Sequence, residues 1–150
     1  MTKLIMILNG PNLNLLGTRQ PDIYGAETLE KIKMSCEQHC EKKWFNIDFR
    51  QSNSEGQLVD WIQESAETHS GIIINPGGYS HTSVAIMDAL LATPLPIIEV
   101  HLSNIHQREE YRSHSFTAKA AKGLICGLGG NGYLLAIDAI SHQIDLVKKV

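Results

Sequence analysis

The chain has 150 residues, 43% of them apolar and 19% charged, with a net charge of −3 and a pI near 6.1. That suits one domain able to build its core unaided and excludes the disordered and collagenous classes. The slightly acidic balance argues against a nucleic-acid binder, no apolar run approaches the ~20 residues of a membrane helix, and three cysteines without framework spacing read as reduced thiols of a cytoplasmic protein.

Short apolar runs alternate with amphipathic stretches. Lys3–Leu8 is continuously apolar, as expected of a strand buried on both faces. Asn9–Glu27, with Gly10, Pro11, Gly17, Pro21 and Gly25, reads as one long loop, of the length that often forms a lid. A helix is predicted over Thr28–Lys43, with Leu29, Ile32, Cys36 and Cys40 on one face. Phe45, Ile47 and Phe49 alternate with polar residues in a second strand. Ser54 and Gln57 form a capping-box pattern ahead of a helix carrying Leu58, Ile62 and Ala66. Gly71–Asn75 is a third strand. Thr82 is positioned to cap a helix whose stripe would be Val84, Met87 and Leu91. Pro96–His101 and Gly123–Cys126 supply strands four and five. A last helix from about Gly132 places Tyr133, Ile137, Ile140, Ile144 and Val147 on one stripe.

Five strands alternating with helices predict one α/β domain over residues 1–150, with a parallel sheet in the flavodoxin-like order 2-1-3-4-5 and helices in layers on both sides. Ligands of such sheets bind beyond the carboxyl ends of the strands. That rule gathers Asn9, Asn12, Asn14, Arg19 and Tyr24 after strand one. Asn75, Tyr79, Ser80 and His81 follow strand three. His101, Ser103, Asn104, His106, Arg108 and Arg112 follow strand four.

No lysine falls on this rim, so a Schiff-base mechanism lacks its amine. The cysteines lie on helix stripes or at a strand end and read as core thiols. His101 and His106 lack a third metal ligand placed by periodicity, so no metal is expected. Guanidinium groups, amides and backbone N–H groups suit an anionic, hydroxylated small molecule. Glu99 and His101 share a face of strand four, which admits two readings: a structural buried ion pair, or a carboxylate orienting a general acid. Arg19 beside Tyr24 likewise admits two: a cation favouring a phenolate base, or a tyrosine that merely packs a lid. Gly127-Leu128-Gly129-Gly130-Asn131-Gly132 matches a dinucleotide fingerprint, but only 18 residues follow it, too few for the required strand and acidic residue. Its glycines suit a tight strand-to-helix turn instead.

Several segments resemble type II 3-dehydroquinate dehydratase: Gly10-Pro11-Asn12-Leu13-Asn14-Leu15-Leu16-Gly17, then Arg19, Pro21 and Tyr24-Gly25; Gln51-Ser52-Asn53 with Glu55-Gly56; Asn75-Pro76-Gly77-Gly78-Tyr79 with His81-Thr82-Ser83; Glu99-Val100-His101-Leu102-Ser103-Asn104 with Arg112; and Gly127-Leu128-Gly129. The resemblance covers nearly the whole chain. It departs at Gln20, where Glu is expected, and at Met87, where Arg is common. It implies dehydration of 3-dehydroquinate to 3-dehydroshikimate by trans elimination through an enolate, without cofactor or metal, in the shikimate pathway or quinate catabolism. Tyr24 would remove the proton beside the ketone, with Arg19 stabilising its phenolate. Asn12 would hold a water on the enolate, and His101, oriented by Glu99, would protonate the departing hydroxyl. Asn75, His81, Leu102, Ser103 and Arg112 would bind substrate. Asp88, well inside its helix, would serve a neighbouring subunit, within trimers assembled into a homododecamer. A non-catalytic domain binding a hydroxylated carboxylate is the competing reading; it would not need Tyr24 and His101 together.

Overall fold

In the computed structural model, residues 3–24 and 26–148 are described, with the side chains of Tyr24 and Lys148 excepted. Five strands form one parallel sheet: β1 (Lys3–Asn9), β2 (Phe45–Gln51), β3 (Gly71–Asn75), β4 (Ile97–His101) and β5 (Gly123–Cys126). Their order is β2-β1-β3-β4-β5, as the alternation of strands and helices predicts. The helices are α1 (Pro21–Tyr24), α2 (Leu29–Glu41), α3 (Glu55–Thr68), α4 (Val84–Ala92) and α5 (Asn131–Lys148).

Side chains alternate across a strand, so the sheet divides the core in two. Ile5, Ile7, Ile73, Ile98 and Val100 face α2 and α5, meeting Ile32, Cys36, Cys40, Tyr133, Ile137 and Ile140. Met6, Leu8, Ile72, Ile74 and Ile97 face α3 and α4, meeting Leu58, Ile62, Ile86 and Leu90. Burial on both faces is why β1, β3 and β4 read as unbroken apolar runs.

Several local readings need correction. The helix α4 is capped by Ser83, whose Oγ accepts from the Ile86 N–H at 2.9 Å, not by Thr82. Its buried stripe is Ile86, Ala89 and Leu90, whereas Val84 and Leu91 are exposed and Met87 is half-buried. The helix is apolar on nearly every side, so periodicity does not choose its face. At α3, Ser54 caps the Gln57 N–H (3.2 Å), but its own N–H goes to Ser52 Oγ (3.0 Å) rather than closing a capping box; Ser65, not Ala66, completes the buried stripe. In α5, Val147 is exposed. The segment after β1 is more built than an open loop: Leu13 and Leu16 are buried, and a 3-10 turn (Leu13–Leu15) and α1 lie within it.

A charged network ties the sheet edge to α3. Arg50 grips Asp48 through Nε (2.9 Å) and Nη2 (2.7 Å) and reaches Glu64 through Nη1 (2.5 Å), with its guanidinium 5.4 Å over the Trp61 ring. His69 Nε2 lies 2.9 Å from Asp48 Oδ2. The hydrogen bond from Arg50, followed by that from His69, holds the Asp48 carboxyl below its ordinary value of 3.8, against the opposing effect of burial.

Candidate active site

The carboxyl ends of β1, β3 and β4 meet at a cavity of about 120 Å3. Its lining includes Asn12, Arg19, Asn75, His81, His101 and Ser103, with Leu102, Arg108 and Arg112. The floor is an amide–phenol bridge. Buried Tyr133 donates from its hydroxyl to Asn9 Oδ1 (2.6 Å) and accepts from Asn75 Nδ2 (2.9 Å). Asn75 Oδ1 accepts from the Gly77 N–H (3.2 Å), so the β3 end and the following turn are locked together.

Gly10 lets the β1 end press against that turn. A Cβ there would lie 2.2 Å from the Pro76 carbonyl oxygen, and the Gly10 N–H donates to Asn75 O at 2.8 Å. Asn12 follows with φ 69°, a left-handed backbone that Asn tolerates. Its N–H donates to Asn53 Oδ1 (3.0 Å), and Gln51 Nε2 braces both Asn53 Oδ1 (3.1 Å) and Gly10 O (3.1 Å).

At the end of β4, Glu99 is wholly buried and His101 is 5% exposed. His101 Nε2 donates to Glu99 Oε2 at 2.8 Å. The same carboxylate accepts from Ser115 Oγ (2.7 Å) and from Thr117 Oγ1. The His101 ring lies 6.3 Å from His81, nearly parallel to it at 19°. His81 Nδ1 donates to the His114 carbonyl (2.7 Å), which leaves Nε2 as an acceptor. Burial lowers the His81 pKa from its ordinary 6.5, so the neutral ring is favoured near pH 7.

The glycine turn rejected as a dinucleotide fingerprint closes this end of the site. The Gly127 N–H donates to His101 O (3.2 Å) and the Gly129 N–H to Leu102 O (3.0 Å). Gly127 has φ +87°, which favours a residue without Cβ. Across the cavity Arg108 Nη1 donates to Ser103 Oγ (3.4 Å), and Arg112 Nε pairs with Glu109 Oε2 at 3.0 Å. Three guanidinium groups, those of Arg19, Arg108 and Arg112, therefore line a space that also holds two imidazoles and two amides. Such a set binds a carboxylate bearing several hydroxyls and offers a proton donor or acceptor beside it.

Residues 3–141 match the model of the family described as Dehydroquinase class II. The chain belongs to that family. It is 51% identical over 145 residues to 3-dehydroquinate dehydratase 2 of Pseudomonas aeruginosa, covering 97% of this chain and 98% of that one. It is 55% identical over 141 residues to the 3-dehydroquinate dehydratase of Brucella canis, covering 94% and 90%. Among solved structures, the type II dehydroquinase of Butyrivibrio crossotus superposes with a TM-score of 0.90 at 44% identity, over 92% of this chain and 97% of that one. That of Propionibacterium acnes gives 0.91 at 40% identity, over 95% and 98%.

The structure brings Asn12, Arg19, Asn75, His81, His101, Leu102, Ser103 and Arg112 to one cavity, with Glu99 directly behind His101. Asp88 is exposed on α4 and is not part of that lining. Tyr24 belongs to α1, and its side chain lies outside the described residues. Sequence reasoning placed Arg108 on the rim without giving it a part, and missed Ser115 and Thr117. Their hydroxyls reach Glu99 across 16 and 18 positions through irregular chain, a relation no periodicity encodes.

Proposed function

We propose that this cavity dehydrates 3-dehydroquinate to 3-dehydroshikimate, the hydro-lyase activity of the family, in the shikimate pathway. One observation carries the reading: a buried carboxylate–imidazole pair opens onto a cavity lined by three guanidinium groups. A domain that only bound a hydroxylated carboxylate would have use for the guanidinium groups but none for an imidazole backed by a buried carboxylate.

In this reading Arg19, Arg108 and Arg112 hold the substrate's negative charge, while Ser103 and neutral His81 bind its hydroxyls. Tyr24, as a phenolate supported by Arg19, removes the proton beside the ketone. Asn12 holds the water that stabilises the enolate oxygen. His101 then delivers its proton to the departing hydroxyl while Glu99 holds the ring. The elimination consumes no net proton: the one given by His101 leaves in the water formed, and the site is reset when Tyr24 releases its proton to solvent and His101 takes one up. Within Asn9–Glu27, Asn9 and Gly10 are fixed in the floor and Leu13 and Leu16 are buried, so the part beyond Leu16 is the lid.

Asp88 completes a neighbour's site within trimers, four of which assemble into a dodecamer, which accounts for an acidic residue on the outer side of an apolar helix. Free, buried Cys36 and Cys40, one helical turn apart, fit a reducing cytoplasm. Absorbance of the conjugated enone on adding 3-dehydroquinate tests the activity. Tyr24→Phe should lower kcat by about a thousandfold or more while leaving substrate binding, within the range for loss of an acid–base group. Retained kcat would remove Tyr24 from the mechanism. Absence of enone formation by the unaltered protein would overturn the activity itself.

A further inference from the structure

One short segment governs both imidazoles of the cavity. The His114 carbonyl accepts from His81 Nδ1, and the next residues turn back under β4. There Ser115 Oγ donates to Glu99 Oε2 at 2.7 Å, and Thr117 Oγ1 donates to Glu99 Oε1. The segment is itself anchored, because the Phe116 N–H donates to Ser80 O (2.7 Å) and the Ala118 N–H to Ser115 Oγ (3.1 Å).

The hydrogen accounting is informative. Each hydroxyl has one proton to give. Ser115 spends its proton on Oε2 and Thr117 on Oε1, while His101 Nε2–H adds a second donor at Oε2. The carboxylate accepts all three, and the two hydroxyls, 3.1 Å apart, hold it at both oxygens. A carboxylate fixed in this way in turn fixes the tautomer of His101 and which ring nitrogen faces the cavity.

We infer that Ser115 and Thr117 are positioning residues for the dehydration, acting through Glu99: their hydroxyls hold the carboxylate turned toward His101. The inference rests on the proposed role of His101 as the acid. Neither side chain lines the cavity, so substrate binding should not depend on them.

Thr117→Val keeps the shape and removes the donor; Thr117→Ser keeps the donor. Thr117→Val should lower kcat roughly tenfold or more, about 1.4 kcal/mol or more in the barrier, with KM within about twofold of wild type. Thr117→Ser should recover most of that loss, a rescue that a merely space-filling role for the side chain would not give. Placed on a Glu99→Gln background, Thr117→Val should cause little further loss, because the hydroxyl has no carboxylate to act on. Half-buried Ser115→Ala provides the same readouts should Thr117→Val fail to fold. Unchanged kcat in both donor-deleting variants, no rescue by Thr117→Ser, or full additivity with Glu99→Gln, would overturn the inference. Because unaltered protein is assayed alongside, loss of the dehydratase reading is seen separately as absence of turnover in wild type.

Discussion

Tyr133 shows how one side chain supports the site without facing solvent. Its hydroxyl sits between the amides of Asn9 and Asn75, and burial pushes the phenol well above its ordinary value, so it stays a neutral donor and acceptor. Tyr133→Phe leaves a buried amide oxygen and a buried amide N–H without their partner, each costing about 1–3 kcal/mol. The melting temperature should fall by roughly 5–10 °C for a chain of this length. Calorimetry checks this, and KM should rise with it because Asn75 lines the cavity. A midpoint within about a degree of wild type would show that other groups take over the hydrogen bonds. The same distinction between a side chain's own chemistry and its surroundings explains what could be read from residues alone. Glu99 and His101 were legible as a pair because a strand places positions two apart on one face. That the carboxylate has two further hydroxyl donors was not, because Ser115 and Thr117 arrive through a chain of short 3-10 turns whose mutual placement no periodicity sets.

At the scale of elements, the order of the sheet followed from alternation alone, and the rim followed from the order. Apart from the segment after β1, where a 3-10 turn and α1 stand in what reads as loop, the failures were of face rather than of kind. In α4, Val84-Ala85-Ile86-Met87 continues into Ala89-Leu90-Leu91, and an apolar residue stands on nearly every side, so burial is decided by what α3 and the sheet present. Close backbone approach was equally silent: nothing around Gly10 says that Pro76 will lie against it. Gly10→Ala places a methyl 2.2 Å from the Pro76 carbonyl oxygen, where neither backbone can yield without moving the ends of β1 and β3. The expected cost is about 1–3 kcal/mol, the range for overpacking. Activity should fall further than stability accounts for, because Asn12 and Asn75 ride on those two ends. Denaturant unfolding beside a kcat measurement separates the two effects.

Over the whole molecule, Asp48 and His81 both contribute to the response to acid, and Asp138, also held below its ordinary value, acts in the same range as Asp48. The folded Asp48 carboxyl titrates below 3.8, so between that folded value and 3.8 the unfolded chain binds more protons. Its contribution is present above the unfolded value and is lost as pH falls through the folded one. His81, lowered from 6.5, also gives an unfolded chain that binds more protons, so stability begins to fall as pH drops below about that value. Urea midpoints measured down the pH scale should therefore decline in two stages, and Asp48→Asn should weaken the lower one, to which Asp138 still contributes, while leaving the upper. The Arg50 grip on Asp48 also has an optical consequence. The chain has two tryptophans. Trp44 is 84% exposed on a left-handed backbone (φ 63°), whereas Trp61 lies under the Arg50 guanidinium. Iodide should quench the emission of Trp44 and spare much of that of Trp61. The unquenched light then reports the Arg50 clamp alone, and the loosening of one sheet edge becomes visible in a cuvette without a label.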